Sequence, residues 1–178
     1  GERIAVGAEP SHRRATRPSH LPDLVCLSHL RWDLVFQRPQ HLMTRFAAER
    51  RVFYVEEPIF DAGPQRLEVS LRPGGVRVVA CHFPHGTPSD VVTSSQREML
   101  DAMLVEYGIR DFVLWYYTPM TLPVSHHWKP LAIVYDCMDE LSAFRGAPPA
   151  MIKAEEELFA RADVVFTGGR SLYEAKVG

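Results

Sequence analysis

Residues 23–55 read DLVCLSHLRWDLVFQRPQHLMTRFAAERRVFYV, and the periodicity of this stretch decides the fold. Asp23 to Leu30 is an apolar run rich in strand formers and too short for a typical helix, which predicts a buried strand. Arg31 to Arg38 is a loop. Pro39 suits the first turn of a helix, where its missing N–H is no loss. Leu42, Met43, Phe46 and Ala47 recur at helical spacing, so Pro39 to Glu49 reads as an amphipathic helix. Val52 to Val55 is a second strand, ended by Glu56-Glu57-Pro58. Strand, helix and strand in succession make a parallel pair joined by a right-handed crossover.

The same logic extends along the chain. Leu67 to Leu71 and Val76 to Cys81 flank Pro73-Gly74-Gly75 and read as a hairpin. Ser95 and Glu98 stand at capping-box spacing ahead of a helix carrying Met99, Leu100, Met103, Leu104 and Tyr107, with Gly108 as its stop. Phe112 to Tyr117, Leu131 to Tyr135 and Asp163 to Thr167 read as further strands. Residues His126 to Lys129 suit a short helix or loop, and Pro148-Pro149 opens a helix containing Ile152, Glu155, Leu158 and Phe159. Strands alternating with helices predict an α/β, Rossmann-like, doubly wound and mostly parallel sheet. Ser171 would cap one more helix with seven residues left to run, the pattern of a piece of a larger architecture. Residues 1–20 read as a flexible leader, a linker or the tail of a preceding domain, and 21–178 as one domain.

Composition narrows the function classes. The 178 residues include 20 basic and 22 acidic side chains, a net charge of −2, so no basic footprint points to nucleic acid. No polybasic block points to an anionic membrane, and no apolar run has membrane-spanning length. Cys26, Cys81 and Cys137 are widely spaced within apolar runs, which suits buried core thiols in a reducing cytoplasm rather than disulfides or zinc. His82 and His85 are three apart and His126 and His127 are adjacent, but no third ligand at compact spacing completes a metal set. There is no GxSxG elbow, no GxGxxG fingerprint and no P-loop; Gly168-Gly169-Arg170-Ser171 is too short for the last.

In an open parallel sheet, ligands bind at the carboxyl ends of the strands, and four segments fall there. The first holds His29 and Trp32, then Gln37, Arg38 and His41 at the start of the first helix. A helix N-terminus attracts anions, arginine matches phosphate or carboxylate, and an indole face stacks on sugar rings. The structural alternative makes Trp32 a core cover, Arg38 solvated and His41 an ordinary helix residue. The second segment is Glu56-Glu57, a ribose-binding position in dinucleotide enzymes, but without the glycines of that motif it reads rather as a solvated loop. The third is Tyr116-Tyr117, whose hydroxyls suit either an acceptor pocket or a core with a wet tip. The fourth is Asp136, Asp139 and Glu140, carboxylates suited either to a general base for a sugar hydroxyl or to a capped acidic loop.

The blocks SHLRWDLVFQRPQHLMTRFA (Ser28 to Ala47), VYDCMDELSAFRGAPP (Val134 to Pro149) and ADVVFTGGRSLYEAK (Ala162 to Lys176) resemble bacterial glycosyltransferases related to family 4, including those beside or fused to UDP-galactopyranose mutase. The resemblance implies a GT-B fold, two Rossmann-like domains facing across a cleft, of which this chain is the N-terminal, acceptor-side half. The donor-side half, with its E-x₇-E type motif, would lie outside the sequence. It implies transfer from a nucleotide-sugar to a glycan acceptor in cell-surface polysaccharide synthesis, with no metal or other cofactor. The parent enzyme would be cytoplasmic, and any membrane association peripheral. On this resemblance Asp136 or Asp139 is the base if the parent inverts configuration, and both orient hydroxyls if it retains. His29, Trp32, Gln37, Arg38, His41, Tyr117 and Glu140 would contact acceptor or donor. The reading from a different class is a non-catalytic Rossmann-like module that binds a partner protein through the face turned toward a second domain; a nicotinamide oxidoreductase ranks behind both.

Overall fold

β-branched and aromatic runs bounded by turn residues pair into one sheet in the computed structural model, which describes residues 21–138 and 146–167. The elements in chain order are β1 (Asp23–Leu27), α1 (Arg38–Ala47), β2 (Val52–Val55), β3 (Ile59–Asp61), β4 (Arg66–Leu71), β5 (Val76–Pro84) and α2 (Ser89–Glu106). There follow β6 (Phe112–Tyr116), a 3-10 turn (Pro119–Thr121), α3 (Leu122–Ser125), β7 (Ala132–Cys137), α4 (Pro149–Arg161) and β8 (Val164–Thr167). Every strand pairing is parallel except that of β4 with β5.

From β5 the sheet runs β2, β1, β6, β7, β8, so the chain winds outward from β1 in both directions. The direction of winding reverses between β1 and β6, the place where such sheets open a crevice. Val78 and Val79 of β5 pair with β2 on one edge and with β4 on the other. His82 likewise pairs with Ile59 of β3 and Arg66 of β4, which puts β3 on the same edge as β2. β3 therefore continues the line of β2 past Glu56-Glu57-Pro58, and β4 closes the sheet's edge.

Alternation along the strands builds two cores. Val25, Leu27, Phe53, Val55, Leu114 and Tyr116 pack under α2, α3 and α4, where Leu100, Met103 and Leu158 are fully or almost fully buried. Leu24, Cys26, Val52, Tyr54, Trp115 and Val134 face the other way, under Met43 and Phe46 of α1. Phe46 also meets Trp115, at 5.4 Å between ring centroids. The hairpin tip leans on the same helix: Gly74 has φ +93°, and a Cβ there would come within 2.8 Å of the Thr44 side chain.

The α/β doubly wound sheet stands as expected, and so does the hairpin. β1 stops at Leu27 instead of Leu30, β5 runs on to Pro84 instead of Cys81, and three further elements differ. α2 starts at Ser89 behind Pro88, whose carbonyl accepts from Val92, so the Ser95–Glu98 pair lies inside the helix and caps nothing. Asp90 in the first turn suits the positive end of the dipole, a weaker signal than the capping spacing that misplaced the start. β3 was not expected, because three residues held only by β5 carry no period of their own. β7 runs on through Asp136 and Cys137. A charged residue reads as a strand end in sequence, yet here the Asp136 side chain is wholly buried.

Candidate functional site

α1 begins where the loop after β1 turns back over the sheet, and a buried glutamine sets that turn. Gln40, 1% exposed, accepts from the Gln37 N–H (3.0 Å) and donates to the carbonyls of Trp32 (3.0 Å) and Val35 (2.8 Å). Glu56, at the end of β2, accepts the Trp32 N–H at 3.0 Å. Arg31 donates to the carbonyls of Glu57 and Pro58 and lies 3.5 Å from the Glu57 carboxylate. The loop is therefore tied to the sheet at both ends, and Arg38 enters the helix at a set position.

Arg38 meets Asp136 across the carboxyl ends of β1, β6 and β7, with Nε 3.2 Å from Oδ2. The two partners differ sharply: the Asp136 side chain is 0% exposed and the Arg38 side chain 43%. Tyr117 follows β6 and turns to the same side as Asp136. Among the described residues, neither oxygen of Asp136 nor the Tyr117 hydroxyl has a hydrogen-bond partner in good geometry. Burial pushes the Asp136 carboxyl above the usual range, while Arg38 and the Tyr117 hydroxyl pull it back down. Burial raises the Tyr117 phenol too, helped by the negative charge of Asp136. Fully buried Cys26 lies beneath them, its thiol raised well above the ordinary value by desolvation and then by Asp136.

A buried carboxylate with a raised pKa, one cation and an unspent hydroxyl can take up or hold a proton. Arg38, in the first turn of α1, has a guanidinium half open to solvent and can meet an anion arriving at the same edge. The structure thus brings Arg38, Tyr117 and Asp136 together. It does not bring in Trp32, which is 8% exposed and packs edge-on to Tyr54 at 5.0 Å; the ring covers the core instead of offering a sugar-stacking face. Gln37 is the N-cap residue of α1, and exposed His41 lies against Phe36 with ring centroids 4.3 Å apart. His29 turns toward α2 and lines a separate pocket there. Asp139, Glu140 and the Gly168–Ser171 turn lie outside the described residues.

The structure also decides two neighbouring polar groups. Glu56 is neither solvated nor poised for a ribose, because it is buried as an acceptor for the loop. Tyr116 points into the core and shares a 2.7 Å hydrogen bond with Ser125, so only Tyr117 reaches the site. His82 lies 2.9 Å from Asp61 and 3.1 Å from Glu68, but Arg66 occupies the place a cation would take, 2.8 Å from Asp61 and 3.0 Å from Glu68. Among the described residues no group of three or more ligating side chains could hold a metal ion, and no helix is long and apolar enough to cross a membrane. Gln40 and Glu56 were missed as determinants of the site. Their signal in sequence was faint: one glutamine at the third position of a helix, and one glutamate closing a strand.

No family model matches the chain, and no curated protein matches it by sequence. Solved structures do. The Escherichia coli trehalose-6-phosphate structure bound with UDP-2-fluoro glucose superposes with a TM-score of 0.56 at 12% identity, over 87% of this chain and 42% of that one. Sucrose-phosphate synthase from Thermosynechococcus elongatus gives 0.59 at 11%, over 82% and 42%. The apo structure of OtsA gives 0.56 at 11%, over 88% and 42%. These are GT-B folds, and the chain has the Rossmann-like fold of one part of them. It spans about two-fifths of their length.

Proposed function

We propose that this chain is the acceptor-side half of a GT-B glycosyltransferase, related to family 4 and to the mutase-associated type, working with a second Rossmann-like half that holds a nucleotide-sugar donor. The observation that carries the reading is the Arg38–Asp136 pair: a solvent-facing guanidinium and a wholly buried carboxylate at the carboxyl edge of a sheet with this fold. Arg38 would balance the donor's phosphate charge. Asp136, with Tyr117 beside it, would receive or orient the proton of an acceptor hydroxyl, and Asp139 and Glu140 would extend that acidic edge. His29, Gln37 and His41 would border the acceptor and donor more distantly. The product would be a cell-surface glycan made on the cytoplasmic side, with any membrane association of the parent enzyme peripheral.

Glycosyl transfer by the two-domain parent tests this. Arg38→Ala and Asp136→Ala should each lower kcat/KM by about a hundredfold or more. Unchanged rates in both variants would remove these residues from the site.

A further inference from the structure

A cavity of about 290 Å³ lies on the α1 face of the sheet, at the edge formed by β4 and β5. Val78, Ala80 and His82 of β5 line it, and the antiparallel register sets Ser70 and Glu68 of β4 beside the first two. Arg31 and Asp33 come from the loop before α1, and Glu56 from the end of β2. Arg38, Tyr117 and Asp136 do not line it. Ligand pockets run from roughly 300 to 1,000 Å³, so this one suits a small molecule.

Its buried charges are left partly unspent. The Glu56 side chain is 9% exposed; Oε2 accepts the Trp32 N–H, while Oε1 has only Arg31 near it among the described residues, at 3.9 Å, too far for a hydrogen bond. Arg31 donates instead to the carbonyls of Glu57 and Pro58. A buried carboxylate oxygen left this way is costly unless a donor reaches it. On β4 and β5 the imbalance is the reverse. Arg72 gives one nitrogen to Asp33, and among the described residues its buried Nε has no partner. The His82 side chain is also 9% exposed, with Nδ1 beside Asp61 and Arg66 and Nε2 without a hydrogen bond. The Glu68 carboxylate stands 3.1 Å from that Nε2 but out of line. Glu68 is 55% exposed and also held by Arg66, so it is free to turn aside.

The cavity therefore asks for both signs of charge: an N–H cation at Glu56 and an anion at Arg72 and His82. A lone anion would meet Glu56 and Glu68 uncompensated, and a lone cation would meet Arg31 and Arg72. A zwitterion meets neither penalty. Leu34, Ile59, Val78 and Ala80 supply the remaining, apolar lining. Opposite charges on a small molecule with an apolar branch describe an aliphatic α-amino acid.

We propose that this cavity is an effector site for a small aliphatic α-amino acid, its ammonium toward Glu56 and its carboxylate toward Arg72 and His82. Glu56 carries the effect outward: its other oxygen holds the Trp32 N–H, Gln40 holds the Trp32 carbonyl, and Arg38 stands one turn-step away in the same helix. Neither the binding nor this coupling depends on the glycosyltransferase reading. The test is a titration of the full chain with L-valine and L-leucine, followed by amide NMR at residues 31–34, 56–59 and 78–82. Isovalerate, which carries only the carboxylate, and isobutylamine, which carries only the ammonium, are titrated alongside. At least one amino acid should bind with Kd on the order of millimolar or tighter, and both single-charge analogues at least about tenfold more weakly. Arg72→Gln should weaken the amino acid about tenfold with Tm unchanged, because its pair with Asp33 is exposed. Glu56→Gln keeps an oxygen for Trp32 and should weaken it as much. The Gln37 and Arg38 amides, outside the cavity, should shift with the same midpoint. The proposal is overturned if neither amino acid shifts the lining resonances, if isovalerate or isobutylamine binds as tightly, or if Arg72→Gln leaves affinity intact. Shifts confined to the lining, with Gln37 and Arg38 unmoved, would remove the effector role.

Discussion

The Arg38–Asp136 pair should respond asymmetrically to the removal of its two partners. At 3.2 Å and an effective dielectric of about 20, the attraction is at most about 5 kcal/mol. Burying a carboxylate costs several kcal/mol after relaxation, and among the described residues Asp136 has no good hydrogen bond to offset this. Burial is also the largest influence on its pKa, and it raises it. Removing the guanidinium by Arg38→Ala strands a buried charge, with an expected loss of about 3 kcal/mol at neutral pH. Removing the charge by Asp136→Asn leaves an arginine that is 43% exposed and can return to water, so stability should stay level or rise by about 1–2 kcal/mol. The double variant should recover most of the Arg38→Ala loss.

The sign of the pH dependence follows from the same asymmetry. The native carboxyl holds its proton more tightly than the unfolded one, so between the two midpoints the native state binds more protons. Its contribution to stability therefore falls as pH rises through that window and is complete at the acid end. Arg38→Ala should steepen this fall and Asp136→Asn should abolish it. Urea denaturation from pH 4 to 8, read as the midpoint at constant m, measures each variant. The reasoning fails if Asp136→Asn loses more than about 2 kcal/mol at pH 7 while Arg38→Ala is neutral, because Asp136 would then be a well-solvated structural anchor.

Other substitutions probe the supports of the site. Gln40→Ala removes three hydrogen bonds that set the loop before α1 and should cost about 2–4 kcal/mol by urea denaturation. Leu100→Ala, at a fully buried position under the sheet, should cost about 3–5 kcal/mol by the same assay. Cys26 is wholly buried with a raised pKa, so thiol-reactive probes at neutral pH should label it only at the rate of unfolding, which pulsed alkylation with mass spectrometry reads directly.

Most of the sheet was legible because its signals are local. DLVCL, VFYV and FVLWY are short runs bounded by turn residues, and the spacing of Leu42, Met43, Phe46 and Ala47 carries the period of α1. What went astray depended on distant partners. β3 exists only because β5 offers an edge beyond Val79, and α2 starts early although Ser95 and Glu98 mimic a cap. Within the proposed site, Arg38, Tyr117 and Asp136 were all placed at strand ends. Residue type could not separate Trp32 from them, because an indole that stacks on a ligand and an indole that seals a core are the same side chain.

The sequence by itself determined the alternation of strands and helices, and with it a doubly wound sheet whose polar strand ends form one edge. Only the tertiary structure decided which polar groups share a face there. Alternate residues of a strand point to opposite sides, so Tyr116 and Tyr117 part company at the end of β6, one to Ser125 in the core and one to Asp136. Strand order then brings Asp136 of β7 within reach of Arg38, whose position depends on Gln40 and Glu56 holding the intervening loop. Burial is the property that turns that aspartate from an ordinary surface charge into one with a raised pKa, and burial belongs to the packed sheet and not to any stretch of the chain.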